Sequence, residues 1–439
     1  MKNKISHLVL VSLDLLIILL SIALAYFTEL LFEPFMSSGL RVDLVVYIDK
    51  LLIYLIILVV FYYEGVYTKR YDFWHESRQV LKSLILSLLL VLSYLALLKG
   101  SEDYSRFIII TAFLYMAFLI PLFKNIVKKF MFKIGLWARK AKVYGNDDFL
   151  RKEIFTNHYL GYVESDDGLT NTVFINSSQL SVPELNKSID EEIRTKHEVI
   201  FIPIINDYNI SQSTVYELSN TRTNLIVFRN KLKSKVRLFL QTIFNYGLAL
   251  LISPILFPII IILGYLIKRE SPGPVFFAHN RIGKGGKIIP TYKFRSMYSD
   301  AQERLEKLLE EDEKVKEEWG KNFKLKDDPR VTKIGSILRK TSLDELPQIF
   351  NVFRGEMNFV GPRPVIQKEL DLYYKKDVEY YNMVKPGITG LWQVSGRSDT
   401  DYDFRVATDK WYVRNWSLWL DIVILFKTVK VVLFREGAY

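Results

Sequence analysis

The chain has 439 residues, contains no cysteine and carries a formal net charge of +11. The absence of cysteine excludes disulfides, thiolate metal sites and cysteine nucleophiles. Half of the residues are hydrophobic, and their uneven distribution indicates a membrane part plus a soluble part. In such a protein a basic balance is more typical of anionic lipid and positive cytoplasmic flanks than of nucleic acid.

Four long apolar segments fill the first third of the chain, at roughly 7–32, 44–63, 80–99 and 105–123. Each approaches the ~20 residues needed to cross a bilayer core. The first lacks a clear small-residue cleavage site and is interpreted as an uncleaved span. Asp14 lies inside it. We expect this acid to hydrogen-bond within the helix bundle or to lie near the interface, and an intramembrane function is the alternative.

Basic residues at the ends of the four segments predict their orientation. They are concentrated before the first segment, between the second and third, and after the fourth: Lys2, Lys4, Lys69, Arg70, Arg78, Lys82, Lys124, Lys128, Lys129, Lys133, Arg139 and Lys140. The positive-inside rule therefore places the N-terminus and everything after residue 124 in the cytoplasm.

Residues 141–230 alternate short β-type runs, AKVYG, TVFI, EVIFIPI and NLIVF, with polar segments of helical character. This alternation predicts a small α/β domain with a largely parallel sheet. The turn at 143–146 stands where a dinucleotide fold carries its glycine-rich loop, but only Gly145 is present. We interpret the segment as a Rossmann-like domain without the nucleotide fingerprint, with a regulatory or scaffolding role.

A fifth apolar run covers 238–267 and is also long enough to span a membrane. Basic residues flank it on both sides: Lys231, Lys233, Lys235, Arg237, Lys268 and Arg269. Charges of this kind favour both ends on the cytoplasmic side. Ser253 and Pro254 stand near its middle, and a proline there should break or kink the helix. We predict a re-entrant helix that enters the membrane and returns, with a kinked spanning helix as the alternative.

The last third carries the candidate chemistry. An adjacent carboxylate pair, Asp344 and Glu345, follows Arg339 by five residues, and a Gly-Pro-Arg-Pro turn occupies 361–364. Carboxylates can hold a hard cation, and guanidinium groups can hold phosphate oxygens. The pattern therefore suggests metal-assisted chemistry on a phosphate. The alternative is structural, because Ser342-x-x-Glu345 also has the form of a helix capping box.

Two further segments carry cations in positions that suit a phosphate ligand. Lys293 and Arg295 lie two residues apart after a strand-like approach, so a strand would present both on one face; ordinary surface charge is the alternative. The glycine-rich stretch 386–397 ends in Arg397 and suggests close backbone approach to a ligand. The C-terminal run WSLWLDIVILFKTVKVVLF predicts an interfacial helix, with a buried core helix as the alternative.

Four ordered motifs resemble those of one known family. KFRSM (293–297), LRKTSLDELPQ (338–348), VGPRP (360–364) and PGITGLWQVSGR (386–397) are similar to the bacterial sugar transferase family, the monotopic polyprenyl-phosphate hexose-1-phosphate transferases. The resemblance to the catalytic core covers roughly 235–439. The preceding segments resemble the larger members, which start exopolysaccharide, capsule or O-antigen synthesis.

The resemblance implies transfer of a hexose 1-phosphate from a UDP-sugar to undecaprenyl phosphate, with Mg²⁺ and release of UMP. Among donors, UDP-glucose is favoured and UDP-galactose is the alternative. Asp344 matches the nucleophile and a metal contact, and Glu345 matches its metal-binding partner. The candidate substrate-binding residues are Lys293, Arg295, Arg339, Arg363, Pro364, Arg397 and Asp409. Ser253 and Pro254 match the helix-breaking pair of the family's re-entrant helix.

Beside a helix N-terminus, Mg²⁺ and Arg339, Asp344 is expected to have a lowered pKa. The competing function is a catalytically inactive membrane scaffold or regulator of polysaccharide assembly. The intact Asp344–Glu345 pair favours the enzyme.

We therefore predict a membrane protein of mixed α and α/β class. Four transmembrane helices occupy 1–135, a degenerate Rossmann-like domain 136–232, and a mainly α catalytic domain with the re-entrant helix 233–439. The expected location is the bacterial cytoplasmic (inner) membrane, with the catalytic domain on the cytoplasmic face. Membrane lipids are expected partners, nucleic acid is not, and a homo-oligomer stays open.

Overall fold

The structure is a computed structural model. It describes residues 2–32, 34, 43–48, 51–97, 104–144, 148–165, 170–177, 180–202, 208, 210, 213–218, 223–311, 328–395 and 401–434. The chain divides into two compact units, Met1–Ile205 and Asn206–Tyr439.

The first unit begins with apolar helices. They are α1 (Lys2–Phe32), α2 (Leu44–Ile48), α3 (Leu51–Tyr63), α4 (Phe73–Leu97) and α5 (Arg106–Lys133). Helices α1, α4 and α5 are long and apolar enough to cross a membrane, as predicted. The second predicted segment appears instead as α2 and the short α3, and residues 49–50 between them lie outside the described part. The fourth predicted segment corresponds to α5, which extends beyond the predicted end at residue 123.

The extension of α5 changes the role of two lysines. Lys124 and Lys128, predicted as cytoplasmic flank charges, are fully buried. Lys124 Nζ lies 2.9 Å from Asp14 Oδ2 and 3.7 Å from Glu76 Oε1, and Lys128 pairs with Glu76. We call these four residues the buried charge cluster. The Tyr67 hydroxyl donates to Asp14 at 2.7 Å, which confirms the expectation that Asp14 is hydrogen-bonded within the bundle.

A small parallel sheet completes the first unit. Its strands are β1 (Arg139–Tyr144), β2 (Tyr162–Glu164), β3 (Thr172–Asn176) and β4 (Glu198–Ile202), with helices α6 (Asp148–Thr156) and α7 (Val182–Ile193). The strand order is β2-β1-β3-β4, and each neighbouring pair is parallel, which confirms the predicted parallel α/β arrangement. Gly145 and Asn146 lie outside the described residues.

One predicted strand of this domain belongs elsewhere. The NLIVF run falls in β6 (Thr223–Val227), which pairs antiparallel with β5 (Thr214–Leu218). This hairpin lies in the second unit. A β-type run specifies a strand but not its partner, because the period of two is the same in both kinds of sheet.

The second unit contains the remaining elements. They are helices α8 (Lys235–Glu270), α9 (Ala301–Glu311), α10 (Lys333–Thr341), α11 (Ile349–Phe353), α12 (Gln367–Glu369), α13 (Val378–Asn382), α14 (Tyr402–Arg414) and α15 (Leu418–Phe434), and strands β7 (Phe276–Ile282), β8 (Ile288–Phe294), β9 (Asn358–Val360) and β10 (Gly387–Thr389). Strands β7 and β8 form an antiparallel hairpin, and β9 pairs with β10 in parallel.

Helix α8 continues as one helical segment through Pro254 and Pro258, so the chain does not leave the helix at Ser253 and Pro254, and a kink at this point stays a prediction. The Ser253 hydroxyl donates to the Ala249 carbonyl at 2.6 Å, a local bond that bends helices without ending them. The missing proline donor is therefore accommodated inside one continuous helix.

One face of α8 is buried along its length against the rest of the second unit. Its buried residues follow a spacing of three, four and seven: Gln241, Asn245, Ala249, Ser253, Ile260, Gly264 and Ile267. Asn245 Oδ1 accepts from the Phe359 backbone at 2.7 Å, and Glu270 accepts from the Lys333 backbone at 2.7 Å. On a straight helix these two contacts would stand ~37 Å apart, so the same unit holds both ends of α8.

Helix α15 has one buried face and one exposed face, and its predicted place at the membrane interface stays a prediction. Asp421, Val423 and Ile424 are buried in the core of the unit, while Phe426 and Val429 are exposed. Burial of each large apolar side chain contributes about 1.5–3 kcal/mol. The helix therefore packs on the core through one face and presents an apolar surface on the other.

Candidate active site

The site is assembled from the end of the β7–β8 hairpin and the segment that follows α10. Gly335 of α10 is buried, and a Cβ there would stand only 2.0 Å from the Ser296 carbonyl oxygen. Glycine therefore allows α10 to lie directly on the KFRSM segment. One turn later, on the same helix face, Arg339 Nε donates to Ser296 Oγ at 2.9 Å.

Helix α10 ends at a residue with unusual backbone geometry. Ser342 has a φ of +55°, the left-handed region that is unfavourable for residues other than glycine. A 3₁₀ helix, Leu343–Gln348, follows it directly. This reversal places Asp344 and Glu345 in the first turn of the new helix.

The predicted capping box at Ser342 and Glu345 is absent. The Ser342 side chain makes no cap hydrogen bond, and Glu345 instead accepts a bond from Lys293 Nζ at 2.6 Å. The left-handed backbone of Ser342 also differs from the extended geometry usual at an N-cap. The capping interpretation is therefore not supported by these contacts, and the chemical role of Glu345 stays a prediction.

Lys293 is the centre of the carboxylate pair. Its Nζ lies 2.6 Å from Glu345 Oε1 and 3.7 Å from Asp344 Oδ2. The side chains are 28% exposed for Lys293, 17% for Asp344 and 23% for Glu345. Two acids therefore converge on one cation while all three groups keep contact with solvent.

The environment raises the pKa of Asp344, in contrast to the lowering predicted from the sequence. Burial of the carboxylate is the largest cause; Lys293 and Arg339 act in the opposite direction, and Glu345 adds to the increase. The cations at this site thus offset only part of the desolvation. A further positive charge is needed to keep Asp344 ionised as strongly as the sequence suggested.

Asn351 fixes the carboxylate segment to β8, a role that the sequence interpretation missed. It is fully buried, donates to the Pro290 carbonyl at 2.6 Å and accepts from the Tyr292 backbone at 3.1 Å. Its only sequence signal is an amide inside the apolar run IFNVF. Because Tyr292 precedes Lys293, these bonds set the position of the lysine relative to Asp344.

Arg295 does not accompany Lys293. Strand β8 ends at Phe294, and the Arg295 guanidinium donates to the Ser271 carbonyl at 2.5 Å and to the Pro272 carbonyl at 2.8 Å. The predicted cationic pair on one strand face is therefore absent, since Arg295 holds the turn that follows α8.

Asp409 lies inside the second unit and has almost no contact with solvent. It is 3% exposed and accepts from the Tyr374 hydroxyl at 2.6 Å, and burial raises its pKa to about 6. These contacts place Asp409 inside the unit, and its predicted part in substrate binding stays a prediction.

The Gly-Pro-Arg-Pro turn is held by the glycine-rich stretch. Gly361 donates to the Thr389 carbonyl at 3.0 Å, and Gly387 donates to the Pro362 carbonyl at 2.9 Å. A Cβ on Gly387 would stand 2.1 Å from the Gly361 nitrogen, so these glycines serve an approach between two chain segments. Arg363 is exposed and Pro364 half-buried.

Apart from Arg295 and Asp409, the predicted site residues divide into three groups. Lys293, Arg339, Asp344 and Glu345 come together, through direct ion pairs or through electrostatic influence on Asp344. No contact with Asp344 is described for Arg363 or Pro364. Arg397 lies outside the described residues.

The donor set at Asp344 and Glu345 is compatible with Mg²⁺. In proteins this ion is held by one or two carboxylates together with water and substrate phosphates. The two carboxylates already share one cation and remain partly exposed. No group of three or more acidic or histidine ligands occurs among the described residues, so any metal held here would depend on substrate or water for its other ligands.

Comparisons with known proteins agree with this assembly. Residues 236–435 match the family model described as "Bacterial sugar transferase". The undecaprenyl-phosphate galactose phosphotransferase of Salmonella typhimurium is 36% identical over 404 residues, which are 85% of this chain and 84% of the relative. The UDP-galactose-lipid carrier transferase of Erwinia amylovora is 36% identical over 411 residues, 85% of this chain and 84% of the relative.

A third relative matches over a smaller share. The UDP-glucose:undecaprenyl-phosphate glucose-1-phosphate transferase of Escherichia coli is 36% identical over 282 residues, 62% of this chain and 56% of the relative. The ordered motifs, the carboxylate pair built from them and the similarity over most of two relatives lead to one conclusion. This chain belongs to the bacterial sugar transferase family and is a phosphotransferase.

Proposed function

We propose that the protein transfers a hexose 1-phosphate from a UDP-sugar to undecaprenyl phosphate and releases UMP, as the first membrane step of exopolysaccharide or capsule synthesis. The observation that carries this proposal is the convergence of Asp344 and Glu345 on one cation, with both carboxylates partly exposed. The names of the relatives, which include undecaprenyl phosphate and UDP-sugars, support the choice of substrates.

The proposed reaction has two displacements at one phosphorus atom. An Asp344 carboxylate oxygen attacks the phosphorus that bears the sugar, the bond to the bridging oxygen breaks, and UMP leaves with that oxygen. A phosphate oxygen of undecaprenyl phosphate then attacks the same phosphorus. The aspartyl ester breaks, the carboxylate is regenerated, and the sugar leaves joined to the lipid through a diphosphate.

The residues around Asp344 have separate parts in these steps. An anionic nucleophile that approaches an anionic diphosphate needs positive charge nearby. Lys293 and Arg339 supply part of it, since both favour the ionised form of Asp344. Mg²⁺ at Asp344 and Glu345 would supply the rest by neutralising charge on the phosphates.

The contacts of α8 support a membrane-embedded helix whose two ends lie on the same side of the bilayer. Both Asn245 and Glu270 are bonded to the same unit, and basic residues flank both ends. A helix held in this way would keep Asp344 at the membrane surface, where a lipid phosphate and a soluble nucleotide sugar can both reach it. We propose the cytoplasmic face of the inner membrane for this unit.

Because the chain has no cysteine, single-cysteine variants test this topology directly. Arg229→Cys and Asp300→Cys lie before and after α8. Both should be protected from a membrane-impermeant thiol reagent in intact cells and labelled after lysis. Labelling of Asp300→Cys alone in intact cells would show that α8 crosses the membrane.

The decisive test of function uses membranes that contain the full chain, undecaprenyl phosphate and Mg²⁺. UMP release is measured for UDP-galactose and UDP-glucose, with galactose first because two relatives that cover most of the chain bear that sugar in their names. The wild type should form a labelled covalent species from a UDP-sugar radiolabelled in the hexose, and Asp344→Asn should not. Asp403→Asn, an exposed acid in the same unit, is the matched control.

Two outcomes would contradict the proposal. Full turnover by Asp344→Asn would exclude the nucleophile assignment. No UMP release by the wild type with any UDP-sugar would favour the inactive scaffold of polysaccharide assembly instead.

A further inference from the structure

A positively charged pocket lies in the second unit, apart from Asp344. A pocket of about 90 Å³ opens between the turn at Lys284, the first turns of α8 and the segment before β10. Its polar lining consists of Gln241, Thr242, Lys284, Asn358 and Lys385, and the rest is apolar. This volume is several times larger than the ~10–15 Å³ that one water molecule requires, so a group as small as phosphate fits.

The charge in this pocket is of one sign. No acid lines it, and neither Lys284 nor Lys385 has an ion pair within the described part of the chain. Lys385 is partly buried, and both its burial and the charge of Lys284 lower its pKa. Two ammonium groups that repel each other beside a cavity are stabilised by an anion between them.

The surroundings of the pocket indicate where such an anion would come from. Phe239, Leu240 and Ile243 occupy the same turns of α8 as the polar lining residues and are 64%, 48% and 52% exposed. Phe239 stands three residues before Thr242, so the two side chains are neighbours on one face of α8, which is one of the helices of membrane length. An amphiphile with an anionic head and apolar chains matches both features, whereas a free anion would use only the first.

We propose that the pocket of Lys284 and Lys385 binds the phosphate group of an anionic membrane phospholipid, whose acyl chains lie along the first turns of α8. The inference goes beyond the transfer reaction. None of the pocket residues is an ion-pair or hydrogen-bond partner of Asp344, Glu345 or Lys293 among the described contacts. The bound lipid would fix the depth of α8 at the membrane surface.

The test measures thermal unfolding of the purified full chain in a neutral detergent. Short-chain phosphatidylglycerol is titrated against phosphatidylcholine of the same chain length and against inorganic phosphate. Phosphatidylglycerol should raise the melting temperature of the wild type at the lowest concentration. Lys284→Glu should require at least about tenfold more of this lipid, because the new acid pairs with Lys385 and repels the phosphate.

Lys287→Glu is the matched control, since it makes the same charge change in the same turn, at an exposed residue that does not line the pocket. It should respond to phosphatidylglycerol as the wild type does. Without lipid, Lys284→Glu should melt no lower than the wild type, because a like-charge pair has become an ion pair. This measurement separates loss of binding from loss of folding.

Three results would overturn the proposal. In the first, Lys284→Glu and Lys287→Glu respond to phosphatidylglycerol at the same concentration. In the second, inorganic phosphate stabilises the wild type as well as the lipid does, which assigns the pocket to a free anion. In the third, phosphatidylcholine acts as well as phosphatidylglycerol. No arm uses turnover, so the outcome is independent of the proposed transfer reaction.

Discussion

The two units of the protein each contain a cluster of two acids with cations, and the clusters differ in their contact with solvent. In the first unit, Asp14, Glu76, Lys124 and Lys128 are at most 1% exposed in their side chains. In the second unit, Lys293, Asp344 and Glu345 are 17–28% exposed. The residue types are nearly the same, so composition does not separate the two clusters.

The two clusters also differ in the ratio of acids to cations. The buried charge cluster places two acids against two lysines, and aromatic rings cover the ammonium groups: Lys124 Nζ lies 5.0 Å from the Tyr67 ring centroid and Lys128 Nζ 4.2 Å from that of Tyr159. Such an arrangement is closed to substrate. The candidate catalytic pair, Asp344 and Glu345, has two acids for one lysine, and its residual negative charge suits a further cation.

The largest effect is expected from Asp344→Asn. Turnover should fall more than ~1,000-fold, because the amide is a poor nucleophile. The melting temperature should not decrease, because a partly buried charge has been removed. UMP release and thermal unfolding are measured on the same preparation. A parallel loss of turnover and of thermal stability would show that Asp344 stabilises the fold, as the acids of the buried charge cluster do.

Removal of one lysine from the buried charge cluster should have the next largest effect. Lys124→Met leaves Asp14 buried without its cation and should destabilise the first unit by about 3–5 kcal/mol. Adding Asp14→Leu should restore most of this stability, because a buried ion pair can be replaced by apolar residues. Denaturation of the detergent-solubilised chain measures both changes.

Lys129→Met is the control for these variants, because Lys129 lies on α5 five residues after Lys124, carries the same charge and is exposed. It should leave the free energy of unfolding within about 0.5 kcal/mol of the wild-type value. An equal loss of stability in Lys124→Met and Lys129→Met would contradict the role given to the buried charge cluster.

Lys293→Met removes the cation from the partly exposed group of Lys293, Asp344 and Glu345. Turnover should fall roughly 100-fold, because a cation that faces the reacting phosphate is lost. Without this cation the pKa of Asp344 should rise further, so the acid limb of the pH–rate profile should move to higher pH. UMP release is measured across the pH range.

Lys293→Arg should recover part of the rate, since it keeps the charge. Lys287→Met, at an exposed position in the same hairpin, should have the activity of the wild type. An unshifted pH profile in Lys293→Met would separate Lys293 from the ionisation of Asp344.

The smallest effect concerns another buried acid, Asp421. It accepts from Tyr412 at 2.7 Å, Trp416 at 3.0 Å and Gln241 at 3.3 Å, and burial raises its pKa to about 7. The unfolded value is ~3.9, so the folded state binds an extra proton between these two pH values. The free energy of unfolding should therefore fall as the pH rises through this window.

Asp421→Asn lacks this titration. Relative to the variant, the wild type should lose stability on the order of 1 kcal/mol as the pH rises from about 6 to about 7. Thermal unfolding at several pH values gives the slope, with Asp403→Asn as an exposed control. Equal slopes in the wild type and Asp421→Asn would show that Asp421 does not titrate in this range.

Local features could be predicted from the sequence where a short pattern is sufficient. The long apolar helices, the parallel strands β1, β3 and β4, and the association of Lys293, Arg339, Asp344 and Glu345 follow from hydrophobic runs and motifs. Predictions that needed a partner were less secure. The NLIVF strand pairs in a hairpin, Arg295 binds carbonyls of a turn, and Asp409 is buried, because each depends on segments distant in the sequence.

The amino-acid sequence alone specifies the membrane character and the family motifs, and its candidate site residues include the four that meet at the candidate active site. The tertiary structure is needed to tell a buried charged group from one that stays partly exposed to solvent. Lys124 and Lys293 are the same residue type, and burial among partners from other helices makes the first structural. Partial exposure beside two carboxylates leaves the second available for chemistry, because desolvation depends on the whole surrounding fold and not on the local sequence.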